Sequence, residues 1–348
     1  MRSCVELLAD TSALLEPPLD AAGAPVEPVL LLDLQDAGKL SADDLKQLAE
    51  AVDAAHQVTV GVAEKRPPTA AGTLLRALTL TLLPTGADDA KATVRVPDPY
   101  AAAAELVASA AAAPRATVAL NQVLRQTTLL GVRAGLAAES AAYSTLLAGP
   151  EFATWLAGRG PARTVDGNAE RVRLTRDGDM MRIELARPER RNAVDAATRD
   201  ALCDALLVTL RETTLQAELS GLGPDFCGGG DLDEFGTTPD AATAHMIRTA
   251  RSPAWLMHLC RDRLVARVHG ACVGAGVELP AFAGRVVAAP DSWFALPELA
   301  MGLIPGAGGT VSVPRRIGRW RTAWLVLNGA RLDVPTAMRW GLVDEVAT

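Results

Sequence analysis

Two glutamates beside glycine-rich turns are the residues of this sequence best suited to chemistry. Glu278 ends the run VGAGVE, Glu298 ends the run FALPE, and a further glycine-rich turn, FCGGGDL, begins at Phe226. Two carboxyl groups can activate water, and the outward-pointing N–H groups of such turns can hold a developing enolate oxygen. The combination predicts a reaction next to a thioester carbonyl.

Each of these features also has an ordinary structural explanation. The glycines from Gly228 onward could form a simple tight turn, and the helix dipole alone would favour Glu278 in the first turn of a helix. Glu298 follows a proline in an apolar stretch, which is harder to explain as a solvated surface charge. The two glutamates taken together with both turns favour the catalytic interpretation.

The composition sets limits on the class of protein. With 348 residues, 49% hydrophobic and 22% charged, the chain can bury a sizeable core in one or two domains. A net charge of −7 argues against nucleic acid as a partner. The five cysteines have no paired or metal-like spacing, so we expect no metal site and a reduced, cytoplasmic protein without a signal peptide or membrane span.

Strands and helices alternate in the second half of the sequence. Glycine and proline between residues 158 and 168 indicate a linker, which divides the chain into residues 1–165 and 166–348. Asp177-Gly178 between two alternating runs predicts a hairpin, and Asp195 is a candidate N-cap for the next helix. Further strands are predicted at 217–220, 264–268 and 286–289, and helices at 239–261 and 306–317. This order predicts an α/β fold.

The first half repeats only the beginning of this pattern. Apolar runs predict strands at 29–34 and 58–62, and a helix between them begins at the candidate N-cap Ser41, with Asp44 three residues on. Residues 98–157 are predicted to be wholly helical. Because no glycine turn or pair of glutamates follows, we expect a scaffold without an active site of its own.

Residues 170–346 resemble the enoyl-CoA hydratase/isomerase (crotonase) superfamily, whose members have a ββα-superhelix fold. The matching segments are, in order, RPERRNA from Arg187, the turn at 226–232, VHGA from Val268, GAG from Gly274, FALPE, IPGAGG from Ile304 and WGLVDEV from Trp340. They cover about half of the chain and are specific for the superfamily. They are less specific for the reaction.

The resemblance implies that the protein binds an acyl-CoA thioester, with coenzyme A as part of the substrate and no metal or redox cofactor. The carbonyl oxygen would lie between the N–H groups of Gly228 and Ala275. Hydratases of the family have glutamates at both catalytic positions, which Glu278 and Glu298 match, whereas isomerases typically keep only the second. The further residues implied in substrate binding are Arg191, Asn192, Ala193, Gly229, Asp231 and Gly306. Arg191 is equally well explained as a surface charge.

The implied reaction is reversible syn addition of water to a 2-enoyl-CoA, by a homotrimer or hexamer. Three alternatives remain open: double-bond isomerisation, dehydration of a specialised acyl thioester in secondary metabolism, and an inactive partner subunit. The sequence also departs from the family, because Gly228 replaces the usual alanine and no helical segment follows WGLVDEV. Residues 98–159 are similar to that segment. We therefore expect a degenerate, largely helical, crotonase-like first half that covers the catalytic core.

Overall fold

The computed structural model describes residues 1–86, 90–163 and 170–347, and its first half contains a five-stranded parallel sheet. In sheet order the strands are β1 (Arg2–Ser3), β2 (Val29–Asp33), β3 (Val58–Val62), β4 (Leu80–Pro84) and β5 (Thr93–Val96). Every neighbouring pair is parallel. All five residues of β3 are buried, as expected for the central strand of a parallel sheet covered on both faces.

Within the described residues of the first half, eight α-helices accompany this sheet. They are α1 (Cys4–Ala9), α2 (Ser12–Leu15), α3 (Ala42–Asp53), α4 (Gly72–Ala77), α5 (Pro99–Ala112), α6 (Pro114–Leu129), α7 (Val132–Leu147) and α8 (Pro150–Gly158). Ser41 caps α3 through a reciprocal capping box with Asp44, which confirms the predicted helix start. Helices α5, α6 and α8 begin with proline, whose missing N–H leaves no donor unpaired there.

The second half is arranged around a six-stranded sheet. In sheet order its strands are β14 (Glu345–Val346), β11 (Arg285–Ala288), β9 (Leu264–Val268), β8 (Gln216–Gly221), β7 (Met180–Leu185) and β6 (Val172–Asp177). The strands β6 and β7 form the antiparallel hairpin predicted at Asp177-Gly178, and the other neighbours are parallel. The predicted α/β class is confirmed.

A smaller sheet and seven helices complete this half. The sheet contains β10 (Ala271–Val273), β12 (Trp293–Ala295) and β13 (Leu332–Asp333). The helices are α9 (Ala196–Arg211), α10 (Ala241–Ala250), α11 (Pro253–Leu259), α12 (Ala275–Glu278), α13 (Gly309–Ile317), α14 (Arg319–Asn328) and α15 (Val334–Trp340). The single helix predicted over 239–261 is two helices, because Ser252 caps a new helix that begins at Pro253.

The two halves share one hydrophobic core. Buried side chains of α6, among them Leu120 and Val123, belong to the same cluster as Val311 of α13. The hydroxyl of Thr127 donates a 2.6 Å hydrogen bond to the carbonyl of Thr310 in a fully buried position. The boundary predicted between the two halves, at residue 165, lies outside the described residues. Among the helices of the described ranges, none is long and apolar enough to cross a membrane.

We expect the second half, residues 166–348, to depend on the first half for its stability. Residues 166–348 expressed alone should be insoluble, because α13 would lose its contacts with α6. Each Leu or Val side chain that becomes exposed would lose about 1.5–3 kcal/mol of burial free energy. Co-expression with residues 1–165 should restore a soluble complex, as measured by the soluble fraction and by sedimentation. A soluble, folded 166–348 fragment would contradict a shared core.

Candidate active site

Both halves of the chain line a cavity of about 780 Å³. The parallel bridge between Cys227 and Cys272 brings two glycine-rich turns together on one wall, where the N–H of Val273 donates to the carbonyl of Cys227 at 2.9 Å. Residues of helices α7 and α10 also line the cavity. The lining includes Tyr143, Gly230, Arg248, Ala275, Glu278 and Glu298.

Glu278 is held at the end of the short helix α12. The chain enters this helix at Gly274, whose φ of 51° is readily adopted only by glycine. The Glu278 side chain is 3% exposed, and one of its carboxylate oxygens accepts the N–H groups of Ala307 at 2.7 Å and Gly309 at 2.8 Å. Its orientation is therefore fixed by the loop that precedes α13.

Glu298 begins the 3₁₀ helix Glu298–Met301, directly after Pro297. The side chain is 6% exposed, and its Oε2 atom has no hydrogen-bond partner among the described residues. A Cβ atom placed on Gly274 would lie 2.8 Å from Glu298 Oε1 and 3.9 Å from Glu278 Oε1. Both carboxyls therefore border the same small space, which stays open because residue 274 is a glycine.

A third carboxyl reaches this site from the first half. Glu139 on α7 is 2% exposed and accepts the N–H of Gly308 at 2.7 Å, together with the N–H and hydroxyl of Thr310 at 2.8 and 2.7 Å. Ala307 and Gly309 donate to Glu278, so four consecutive N–H groups alternate between the two carboxyls. Carboxyl groups from both halves of the chain thereby hold this loop through hydrogen bonds.

The three carboxyls retain protons more strongly than ordinary glutamates. Burial raises the pKa of Glu278 to about 7, against the opposing hydrogen bonds from Ala307 and Gly309. Burial, and then the charge of Glu278, raises the pKa of Glu139 to about 8. Burial and the charge of Glu278 also raise the pKa of Glu298 well above its usual range. Burial thus favours the protonated form of all three carboxyls, and the charge of Glu278 adds to this effect at Glu298 and Glu139.

The assignment of Gly228 as an oxyanion-hole donor is wrong. Its N–H donates a 2.7 Å hydrogen bond to the carbonyl of Arg191 and is therefore not available to a ligand. The N–H of Gly229 faces the sulfur of Cys227 at 3.5 Å. Within the described ranges, the N–H of Gly230 has no acceptor, and Gly230 lines the cavity. The N–H on this turn that has no acceptor in the described ranges therefore lies two residues after the predicted one.

Ala275 lies where the sequence places the second donor. It is the first residue of α12, and no acceptor in the described part of the chain takes its N–H. The first N–H groups of a helix are unpaired within the helix and point out of its N-terminus. Ala275 lines the same cavity as Gly230. The two turns therefore present one N–H group each.

Four of the predicted substrate-binding residues are not among those that line the cavity: Arg191, Asn192, Ala193 and Asp231. Asn192, which is 1% exposed, accepts the N–H of Arg187 and donates to the carbonyls of Leu222 and Asp225. Asp231 forms ion pairs with Arg187 and Arg190, and the exposed Arg191 pairs with Asp225. Contact of these four residues with a ligand stays a prediction.

Gly229 and Gly306 do line the cavity. The φ of 103° at Gly229 favours glycine, and its carbonyl accepts the N–H of Val194 at 2.8 Å. A Cβ atom on Gly306 would lie 2.5 Å from the ring of Tyr143, so only glycine fits beneath this ring. Tyr143 itself is 8% exposed, and it brings α7 directly onto the loop that holds Glu278.

Sequence reasoning missed Glu139, Tyr143, Gly230 and Arg248. Glu139 and Tyr143 lie in an alanine-rich helical run remote in sequence from both catalytic glutamates. A charged residue on the apolar face of that run was the available signal for Glu139. Three consecutive glycines give no indication of which N–H is free. That depends on the Arg191 carbonyl, which another segment supplies.

A family model described as enoyl-CoA hydratase/isomerase matches residues 175–348. The chain belongs to this family, and the predicted membership of the crotonase superfamily is confirmed. It is similar to 2,3-dehydroadipyl-CoA hydratase of Escherichia coli (strain K12), with 31% identity over 175 residues, 50% of this chain and 68% of the relative. It is also similar to carnitinyl-CoA dehydratase of Salmonella arizonae, with 33% identity over 184 residues, 52% of this chain and 69% of the relative.

Among solved structures, the chain is similar to an enoyl-CoA hydratase from Thermoplasma volcanium GSS1. The sequence identity is 30%, the match covers 53% of this chain and 74% of that one, and the TM-score is 0.45.

Stability should fall as the pH rises through the range in which these carboxyls lose their protons. A native Glu139 with a pKa raised to about 8 holds its proton where the unfolded residue, near 4.5, has lost it. The free energy of unfolding therefore falls as the pH rises between these values. Glu139→Gln should reduce the fall by on the order of 1 kcal/mol or more, measured by urea unfolding at pH 5 and pH 8.

Glu151→Gln is the matched control, because Glu151 also accepts two backbone N–H groups within the first half but lies outside this cavity. It should leave the pH dependence close to that of the unaltered protein. An equal change in both variants would mean that the titration does not come from the carboxyl cluster.

Proposed function

We propose that the protein is an enoyl-CoA hydratase that adds water reversibly and with syn stereochemistry to a 2-enoyl-CoA. One observation carries this proposal: the buried Glu298 has an Oε2 atom without a hydrogen-bond partner among the described residues, and its Oε1 atom borders the same space at Gly274 as Oε1 of Glu278. A buried carboxyl without a partner is costly, and such groups cluster at functional sites. The family membership and the hydratase and dehydratase names of the similar proteins support the same reaction class.

In the proposed mechanism, the thioester carbonyl accepts the N–H groups of Gly230 and Ala275. The ionised Glu278 takes a proton from water as the water oxygen forms its bond to C3. The C2=C3 electron pair moves to form the enolate, whose negative oxygen the two N–H groups stabilise. Protonated Glu298 then gives its proton to C2. The raised pKa of Glu298 suits the role of acid, and a pKa of about 7 for Glu278 suits the role of base near neutral pH.

Resetting the site requires one proton to pass from Glu278 back to Glu298, so each turnover consumes only water and the enoyl thioester. Dehydration is the same sequence in reverse. The proposal needs no cofactor other than the coenzyme A that the substrate carries. Isomerisation could use Glu298 alone, whereas the fixed and ionisable Glu278 beside it favours hydration.

The first half is proposed to be a degenerate crotonase-like copy that serves the catalytic core. Its parallel β2–α3–β3 unit and its terminal helices α6 to α8 support a common origin. The hydrogen bonds of Glu139 with Gly308 and Thr310 support a role for α7 in the proposed catalytic unit. A homotrimer or hexamer stays a prediction, to be measured by light scattering.

Removing either carboxylate should reduce hydration at least about a hundredfold, the usual scale for loss of a general acid or base. The variants are Glu278→Gln and Glu298→Gln, assayed by the loss of the conjugated thioester absorbance with crotonyl-CoA. Glu234→Gln is the control, because Glu234 also lines the cavity but is bonded to the Ala196 N–H at the start of α9. Near-normal turnover by either catalytic variant would exclude the two-glutamate mechanism.

Removing one oxyanion donor should cost roughly 3 kcal/mol of transition-state stabilisation, or about a hundredfold in rate. Ala275→Pro deletes the N–H at the first helical position, where proline is well tolerated. Ala275→Gly keeps the N–H and should retain most of the activity. If the proline variant is folded by circular dichroism and fully active, this turn does not bind the carbonyl.

A further inference from the structure

Arg248 lines the cavity, and no described carboxylate forms an ion pair with its guanidinium. Arg248 on α10 is half-buried, and its guanidinium donates to the neutral hydroxyls of Ser140 at 3.3 Å and Ser144 at 2.5 Å. In the part of the chain that the structure describes, no carboxylate forms an ion pair with it. Its neighbour Arg251, in contrast, pairs with both Asp200 and Asp204.

The surroundings of Arg248 leave its charge without a counter-ion. Its guanidinium lies 4.6 Å from the ring centroid of Tyr143, and His245 bonds to the same Ser140 hydroxyl. Burial lowers the pKa of Arg248, but guanidinium groups remain protonated in proteins. The one nearby carboxyl, Glu139, has a raised pKa and is already bonded to Gly308 and Thr310. A half-buried cation in this position favours an anionic ligand.

The order of contacts along the cavity shows which part of a substrate would meet Arg248. The glycine turn lies next to Gly274, which borders both Glu298 and Glu278. Glu278 bonds to Ala307, which follows Gly306, the ring of Tyr143 packs on Gly306, and Arg248 lies against that ring, so a chain of contacts connects the carboxyls to Arg248. A thioester with its carbonyl at the turns and C2 and C3 at the carboxyls would extend its acyl chain toward Arg248.

We propose that Arg248 binds a carboxylate at the far end of the acyl chain, so that the substrate is a dicarboxylic acyl-CoA. This inference rests on the proposed hydratase function and deepens it. The guanidinium would form charge-assisted hydrogen bonds with the terminal carboxylate, using donors that Ser140 and Ser144 leave free. A trimethylammonium-bearing acyl group would be repelled from the same position, and an uncharged chain would leave the cation unpaired.

The alternative anion is a coenzyme A phosphate. The carbonyl and acyl positions lie between the turn and Tyr143, so a phosphate at Arg248 would require the substrate to bind in the reverse direction. Arg191 lies instead on the turn side, where its Cβ is 3.2 Å from a Cβ position on Gly228. Arg191, which pairs with Asp225 and is not among the residues that line the cavity, therefore lies apart from the place proposed for the acyl carboxylate at Arg248.

The test compares trans-2-hexenoyl-CoA, whose C6 is a methyl group, with the six-carbon 2-enoyl-CoA whose C6 is a carboxylate. We expect the full-length protein to hydrate the carboxylated substrate with a kcat/KM at least about tenfold higher. Arg248→Met should lose about 10- to 100-fold with the carboxylated substrate and change less than about threefold with the neutral one. Arg248→Lys should retain part of the preference. Arg251→Met, which replaces an ion-paired arginine, should leave the ratio of kcat/KM for the carboxylated and neutral substrates unchanged.

Binding of the saturated analogues to the unaltered protein supplies a measurement that does not depend on the variants folding. Calorimetry should give tighter binding of adipyl-CoA than of hexanoyl-CoA. Equal binding and equal kcat/KM for the charged and neutral chains would overturn the inference while leaving the hydratase proposal intact. Hydration of neither substrate would instead overturn the proposed function, and tighter binding of adipyl-CoA without turnover would still support the carboxylate site.

Discussion

The loop from Ala307 to Thr310 is the constraint on which this site depends. Burying two carboxyl groups close together is unfavourable unless hydrogen-bond donors face each of them. Four consecutive N–H groups do so by pointing alternately to Glu278 and Glu139. Gly309 and Thr310 are also the first two residues of α13, so the positive end of the helix dipole adds to the stabilisation.

This alternation explains why the loop is so rich in glycine. Gly308 has a φ of 106°, and a Cβ atom there would lie 2.5 Å from the ring of Phe282. On Gly309, a Cβ atom would lie 2.6 Å from Cγ of Glu278. A side chain at position 309 would displace the carboxyl of Glu278 from its donors, and one at position 308 would collide with Phe282. The sequence similarity to the family at this loop thus has a direct physical reason.

The same loop joins the two halves of the chain into one unit. Glu139 bonds to Gly308, Tyr143 packs on Gly306, and Thr127 bonds to the carbonyl of Thr310. A change in the position of α7 would therefore alter the donors available to Glu278. The first half, which has no pair of glutamates beside glycine turns, still takes part in setting the protonation of the site.

Local patterns predicted what local interactions determine. The Ser41 capping box, the hairpin at Asp177-Gly178 and the strand Leu264–Val268 depend on neighbouring residues or on a simple apolar period, and all three are present. The strands β4 and β5 were not predicted, because their places depend on partners elsewhere in the sheet. Glu139 and Arg248 acquire their environments only when remote helices meet, which no period in the sequence records.

The segment RPERRNA illustrates how a motif implied in binding can act through structure. Arg187, which is 2% exposed, forms ion pairs with Asp195 at the start of α9 and with Asp231 at the end of the glycine turn. The left-handed backbone at Arg191 and Asn192 directs the Arg191 carbonyl to the N–H of Gly228. The N–H of Gly228 is thus occupied by a hydrogen bond. Gly230, which lines the cavity, has an N–H without an acceptor in the described chain. The motif thereby determines which glycine of the turn is available to a carbonyl oxygen.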